Sequence, residues 1–229
     1  MSHLRLPGME QKLFFLINRE WIGPVLDRLM AALSSLDFWI PLLLVLIAAL
    51  AIFGGFKGRA FLVTAILTVI VTDSVVVNFL KHLVNKPRPY QTQSVRVVSL
   101  KKTTPRFLGV LQPPKIRFSK PETGPIEGRS FPSGHTSNNF AIAVVLAAFY
   151  PRRGWLYFLP AAGISYSRIY TGSHWPSDVA ISIVLGLGLG LGILWGVTAL
   201  WKRWGATLFP ALYRCHPSLV KCQADLVAP

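Results

Sequence analysis

The stretch Ser167-Arg168-Ile169-Tyr170-Thr171-Gly172-Ser173-His174-Trp175-Pro176-Ser177-Asp178 sets a guanidinium, an imidazole and a carboxylate between two long apolar runs. Proline is accepted in the first turn of a helix but not deeper, so the next helix is expected to begin near His174 with Asp178 in its opening turn. His174 and Asp178 then lie about one turn apart on one side. A carboxylate so placed can hold one imidazole nitrogen and leave the other, unprotonated, facing outward as a nucleophile or base. Arg168 offers a fixed planar charge for an oxyanion. The same residues also suit plain capping of a membrane helix, and by themselves they do not separate the two readings.

Two further clusters carry compatible chemistry. Lys81-His82-Leu83-Val84-Asn85-Lys86-Pro87-Arg88-Pro89 closes an apolar run; Lys81 stays on the helix, whereas Pro87 and Pro89 force the chain out and hold Arg88 extended. Two cations are presented from opposite sides of one corner, although Lys and Arg at membrane-helix ends also snorkel to the interface. Phe131-Pro132-Ser133-Gly134-His135-Thr136 opens another apolar run. A helix start offers unpaired N–H groups and the positive end of the macrodipole, so a phosphate there needs few extra donors. Gly134 permits close backbone approach, the Ser133 hydroxyl can donate, and His135 can carry a proton.

Composition sets the solvent for the elements that hold these groups. The 229 residues are 52% hydrophobic and 14% charged, with mean hydropathy +0.47, too apolar for an ordinary soluble domain. The expected fold is all-α: one polytopic membrane helical bundle over 1–229, with about five transmembrane helices and an N-terminal interfacial helix. Residues 11–36, interrupted by Arg19, Glu20, Asp27 and Arg28, suit the interface. The spans fall at 38–53, 60–84, a third opened by Ser133 and His135 and ending at Tyr150, then 155–165 and 178–201. In the second, Thr72, Asp73, Ser74 and Asn78 recur at helical spacing; an acid in hydrocarbon needs a partner or an interior position, making Asp73 a candidate for packing or site support.

Residues 90–131 form a basic extramembrane loop with Arg96, Lys101, Lys102, Arg106, Lys115, Arg117, Lys120 and Arg129 against Glu122 and Glu127. So long a connection is unusual unless functional or disordered. It suits a rim that attracts anionic headgroups, and equally a solvated loop; 95–100 reads as a short strand. Gly186, Gly188, Gly190 and Gly192 alternate with leucine, and glycines four apart let membrane helices approach closely. The tail, 205–229, is expected on the membrane surface, with Cys215 and Cys222 as free thiols. No N-terminal stretch has the order of a cleaved signal, so insertion is expected to depend on the first span. The net charge of +15 comes without a basic helix or interleaved aromatics, so nucleic acid is not an expected partner; an anionic lipid is.

Counting the crossings places Lys81, Arg88, Ser133, His135, Arg168 and Asp178 on one membrane face. Such convergence suits a phosphate group, without a carboxylate cluster to hold a divalent metal, so metal-independent phosphoryl transfer without a cofactor is expected. Lys81 six residues before Arg88-Pro89, then Pro132-Ser133-Gly134-His135, then Ser167-Arg168 five residues before His174 and three more before Asp178, resembles the three-part signature of the type 2 phosphatidic acid phosphatase (PAP2) family without a departure. The resemblance implies a helical-bundle lipid phosphatase in which His174 attacks phosphorus to form a phosphohistidine, Asp178 orients it and His135 protonates the leaving oxygen. Lys81, Arg88, Ser133, Gly134 and Arg168 would bind the phosphoryl oxygens.

The resemblance points to undecaprenyl diphosphate, phosphatidylglycerol phosphate, phosphatidic acid or lipid A phosphate as substrates. Transfer of the phosphoryl group to another acceptor, or non-catalytic lipid-phosphate binding, are the alternatives; intact His135, His174 and Asp178 argue against the last. Vanadate-dependent haloperoxidases share a similar anion site by resemblance, but the membrane spans argue against them. Lys57, Arg59, Arg152, Arg153, Lys202 and Arg203 mark one face as cytoplasmic. The site is therefore expected on the extracytoplasmic (periplasmic) face of a bacterial inner membrane, with the loop charges assigned to substrate.

Overall fold

The computed structural model describes residues 8–220, so Cys222 lies outside the described residues. Residues 11–36 do not form one interfacial helix. Helix α1 (Met9–Phe15) passes through a π turn (Leu16–Glu20) and breaks; α2 (Pro24–Ser34) restarts with Pro24 in its first turn after an extended Gly23. Proline cannot donate to a preceding turn, so the chain must break there. Phe14, Ile17, Met30 and Ala31 are buried, and these helices form one wall of the bundle.

Helix α3 (Leu36–Phe53) has no buried residue although its mean hydropathy is 2.5. With so little protein over its side chains, lipid must cover them. Helix α4 (Gly55–Val69), a π segment (Ile70–Val77) and α5 (Asn78–Val84) form the second apolar run, and short α6 (Pro89–Thr92) follows the corner. Strands β1 (Arg96–Ser99) and β2 (Lys115–Phe118) pair antiparallel with Arg96 opposite Phe118, as the β-branched run at 95–100 suggested. Helices α7 (Gly134–Phe149), α8 (Phe158–Tyr170), α9 (Pro176–Leu208) and α10 (Pro210–Cys215) follow. The molecule is a membrane helical bundle. Among the described residues three helical runs, Leu36–Phe53, Gly55–Thr92 and Pro176–Leu208, are long and apolar enough to cross a membrane. The other two expected spans, α7 and α8, are shorter.

Helices α7 and α9 pack closely because two of the four alternating glycines face α7. A Cβ at Gly186 would lie 2.5 Å from the Ser137 carbonyl oxygen, and one at Gly190 would lie 2.7 Å from that of Ala141. Gly188 and Gly192 meet nothing within 4 Å. Glycine on the packed side lets the backbones touch.

Two clusters close the ends of the bundle. At one, Phe61, Val145, Phe149 and Leu219 are buried. Here the Phe56 ring stacks on His216 at 4.1 Å, and Lys57 sits over Tyr150. The described part of the tail folds back on α9, where the Trp201 indole donates to the His216 carbonyl. At the other end, Phe14, Val95, Tyr170, Trp175 and Val179 join α1, β1 and the α8–α9 turn. A buried polar net stitches them: Asp27 accepts from Arg96 and from the Tyr170 hydroxyl, both at 2.5 Å, and Asn18 donates to the carbonyls of Arg96 and Tyr170. Hydrogen bonds that join buried polar groups across segments in this way rigidify the end of the bundle.

Candidate active site

Helix α5 stops at Asn85, whose φ of +47° is the left-handed cap asparagine tolerates, and Pro87 prevents continuation. Arg88 is then extended ahead of Pro89, as the two prolines required. The end of the basic loop runs directly against this corner. The Ser130 N–H donates to the Lys86 carbonyl at 2.8 Å, and a Cβ at Gly128 would sit 2.2 Å from the Asn85 oxygen and 2.5 Å from the Pro87 nitrogen. The Trp175 indole donates to the Pro87 carbonyl at 3.0 Å, so the His174 turn docks on the same corner.

His174 departs from its expected position. Trp175 is extended ahead of Pro176 and serves as the N-cap of α9, so His174 lies outside the helix and is not one turn from Asp178 on a shared face. The residue before a proline is kept out of helical geometry, which moves the boundary past His174. Nor does the Asp178 carboxylate hold the imidazole. The His174 Nδ1 meets the Ser130 carbonyl oxygen at 2.6 Å. An acceptor there sets Nδ1 as the protonated nitrogen and leaves Nε2, which has no protein hydrogen bond among the described residues, with its lone pair free.

Asp178 does lie in the first turn of α9 and is fully buried. Its Oδ1 accepts from Lys86 Nζ at 2.8 Å; its Oδ2 accepts from the Ser130 hydroxyl at 2.5 Å and from the Trp175 N–H at 3.1 Å. It therefore meets the segment that bears the His174 acceptor, not His174 itself.

The remaining expected residues gather around this centre. Ser133 is the buried N-cap of α7; its N–H is held by Ser182, while its hydroxyl oxygen accepts from Thr136 at 3.1 Å, leaving its own proton to give. Gly134 is close-packed: a Cβ there would stand 2.7 Å from the Asp73 carboxylate and 3.8 Å from Lys81 Nζ. That puts Asp73 and Lys81 beside the α7 N-terminus, where His135 is exposed. Arg168 donates Nη1 to Ser34, and its buried Nε–H has no protein acceptor among the described residues. An unspent guanidinium donor beside a helix start fits an oxyanion. His174, in the turn between α8 and α9, has its pKa pushed well below 6.5 by burial first and then by the charges of Arg168 and Arg88, against which the Ser130 carbonyl works.

Ser130, Lys86 and Glu10 belong to this centre, and motif reading missed all three. Lys86 lay inside the first motif as a spacer, and Ser130 is two residues before the second. Glu10 of α1 accepts from Lys86 at 3.4 Å and from the Ser177 N–H at 3.3 Å. No local spacing signals contacts that join α1, the corner after α5 and the start of α9.

The chain as a whole is similar to known proteins. The family model described as PAP2 superfamily matches residues 61–202. The chain is 26% identical over 168 residues to the lipid A 4'-phosphatase of Bacteroides thetaiotaomicron, covering 72% of this chain and 66% of that one. It is 39% identical over 66 residues to the bacitracin transport permease protein BcrC of Bacillus licheniformis, covering 29% of this chain and 32% of that one. It is 41% identical over 58 residues to the undecaprenyl-diphosphatase of Sulfolobus acidocaldarius, 25% of this chain and 28% of that one. The match thus spans less than two thirds of each relative's length. The crystal structure of Aquifex aeolicus LpxE superposes with a TM-score of 0.54 at 28% identity, covering 80% of this chain and 93% of that one.

Proposed function

The chain belongs to the PAP2 superfamily, and we propose that it is an integral-membrane lipid phosphatase that works through a phosphohistidine without a metal. The observation that carries the reading is the His174 ring, tied at Nδ1 to the Ser130 carbonyl and open at Nε2, within the field of Arg168 and Arg88. In the first step the Nε2 lone pair bonds to phosphorus, the bond from phosphorus to the lipid oxygen breaks, and His135 gives that oxygen a proton. In the second, water attacks the phosphohistidine, the P–N bond breaks, and His135 takes the water proton. Lys81, Arg88, Arg168, the Ser133 hydroxyl and the N–H groups at Gly134 hold the equatorial oxygens as charge moves onto them.

Beside Arg168 lies a cavity of ≈ 340 Å³, whose walls include Lys101 and Lys102 together with Arg106 and Asp37, ion-paired at 3.6 Å. Its cations favour a headgroup with negative charge beyond the reacting phosphoryl group, such as undecaprenyl diphosphate or a lipid A phosphate, over phosphatidic acid. Phosphate release in detergent with EDTA, across diphosphate and monophosphate lipids, tests the reading. Release that survives chelation and ranks the multiply charged lipids first is expected. Loss with EDTA would remove the metal-independent route, and a phosphorylated acceptor in place of free phosphate would make the protein a transferase.

The depressed His174 pKa has a consequence for pH. The group is neutral well below 6.5 in the folded protein, so kcat/KM of the free enzyme should show no acid limb at 6.5 assignable to the nucleophile. Because the unfolded chain binds that proton at about 6.5, stability from keeping His174 neutral is present above 6.5 and falls as pH drops below it. An acid limb near 6.5 in kcat/KM would contradict the neutral nucleophile.

The extracytoplasmic orientation follows from the short-loop charges. Ser119 is buried and unsuited to labelling, but Thr123 is exposed. In a background with Cys215 and Cys222 replaced, Thr123→Cys should react with an impermeant maleimide in intact cells; protection until lysis would invert the topology.

A further inference from the structure

Lys86 and its acceptors form a charged cluster behind Asp178 that takes no part in the phosphoryl contacts. All three protons of the Lys86 ammonium are spent in one place, on Asp178 Oδ1 at 2.8 Å, the Ser177 hydroxyl at 2.9 Å and Glu10 Oε1 at 3.4 Å. Asp178 is fully buried and, among the described residues, has no other cation in contact. Its second oxygen holds the Ser130 hydroxyl at 2.5 Å, and the carbonyl of that same serine holds His174 Nδ1 at 2.6 Å. The Ser130 backbone is held in turn by its N–H bond to the Lys86 carbonyl.

We infer that Lys86 and Ser130 are positioning residues of the reaction: Asp178 orients His174 at one remove, through Ser130, and Lys86 keeps the Asp178 carboxylate paired and aimed. The inference rests on His174 as the nucleophile. Without the ammonium, a carboxylate this deep loses its charge partner and turns toward another donor. It then loses its grip on the Ser130 hydroxyl and the Trp175 N–H together. The Ser130 carbonyl is freed to shift, and with it the acceptor that fixes which ring nitrogen is protonated and where Nε2 points. Binding of the phosphoryl oxygens uses other residues, so the damage belongs in kcat rather than KM. Glu10 brings α1 into the same cluster, coupling the N-terminal wall to the centre.

The test compares Lys86→Met, Lys86→Arg, Ser130→Ala and His174→Ala in the full-length protein. Each is assayed for kcat and KM on one lipid, for melting temperature, and for the titre of sites that form phosphoenzyme in a single turnover. Lys86→Met is expected to lower kcat per active site about 10- to 100-fold with KM within about threefold. Ser130→Ala, which keeps the carbonyl but loses its tether, should lower kcat about tenfold, and Lys86→Arg should recover much of the Lys86→Met loss. A merely structural role would lower titre and melting temperature while leaving kcat per site unchanged, and would overturn the inference. So would wild-type kcat in both Lys86→Met and Ser130→Ala. If Lys86→Met does not fold, Lys86→Arg and Ser130→Ala decide. Activity retained by His174→Ala would instead overturn the nucleophile assignment on which the inference stands.

Discussion

His174→Ala is expected to abolish phosphate release, with kcat down by roughly 10⁴-fold or more, because covalent catalysis has no substitute once the attacking nitrogen is gone. Few changes should do less to the fold. His174 is buried at 2% exposure, but among the described residues its ring's one hydrogen bond goes to a carbonyl that Lys86 and Asp178 hold independently through Ser130. The melting temperature should therefore move little while activity disappears. A direct check is a single turnover with lipid labelled in the reacting phosphoryl group, quenched in alkali, in which a phosphohistidine survives. Label should remain on the wild type and be absent from His174→Ala. Label on the variant, or release at an undiminished rate, would show that another group attacks phosphorus. The matching His135→Ala should still take up label from a substrate with a good leaving group, since its proton is then not needed.

Gly128→Ala is expected to be the most damaging small substitution away from the reacting groups. A methyl at that position would stand 2.2 Å from the Asn85 oxygen, 2.3 Å from the Lys86 carbonyl carbon and 2.5 Å from the Pro87 nitrogen. All three are backbone atoms in a corner already fixed by a left-handed cap and a proline, so the corner cannot yield by a rotamer change. One or other segment must move by about an ångström, at a cost of about 3 kcal/mol. The displaced segment is the one carrying Ser130, so the acceptor of His174 moves with it. A misplacement of that size costs about 100-fold in rate. Thermal melting in detergent and kcat on the preferred lipid check both halves. Gly124, with nothing within 4 Å of its would-be Cβ, is the control, and Gly124→Ala should behave as wild type. Equal behaviour of the two variants would mean the loop does not pack on the corner in solution.

Much of this was legible in the residues themselves. Apolar runs long enough for a bilayer, broken by Gly54-Gly55, Pro87 and Pro151, are read directly because hydrocarbon excludes unpaired backbone and charge whatever surrounds the helix. The extended Arg88 follows from Pro89 alone, and the strand at 95–100 from its β-branched run. The three spaced motifs named the family, and the family match at residues 61–202 bears that out. The break in 11–36 was also written in Gly23-Pro24, an extended glycine followed by a helix-starting proline.

The remainder depended on which distant segments touch. Helical periodicity relates residues three or four apart, and it placed His174 beside Asp178 on one face; Pro176 moved the helix start past His174, and the imidazole found its partner in a backbone carbonyl 44 positions away. A backbone carbonyl has no residue identity, so no motif can announce it. The choice of Gly186 and Gly190 over Gly188 and Gly192 as the packed pair was likewise decided by where α7 lies. By itself the sequence determined the solvent, the three longest apolar runs and the kinds of group able to handle a phosphate, because those depend on side-chain chemistry and local backbone limits. Only the tertiary structure decided that Lys86, Ser130 and Glu10 stand behind Asp178, because contacts between segments depend on how the whole chain closes, with no local signal for which buried charge faces which.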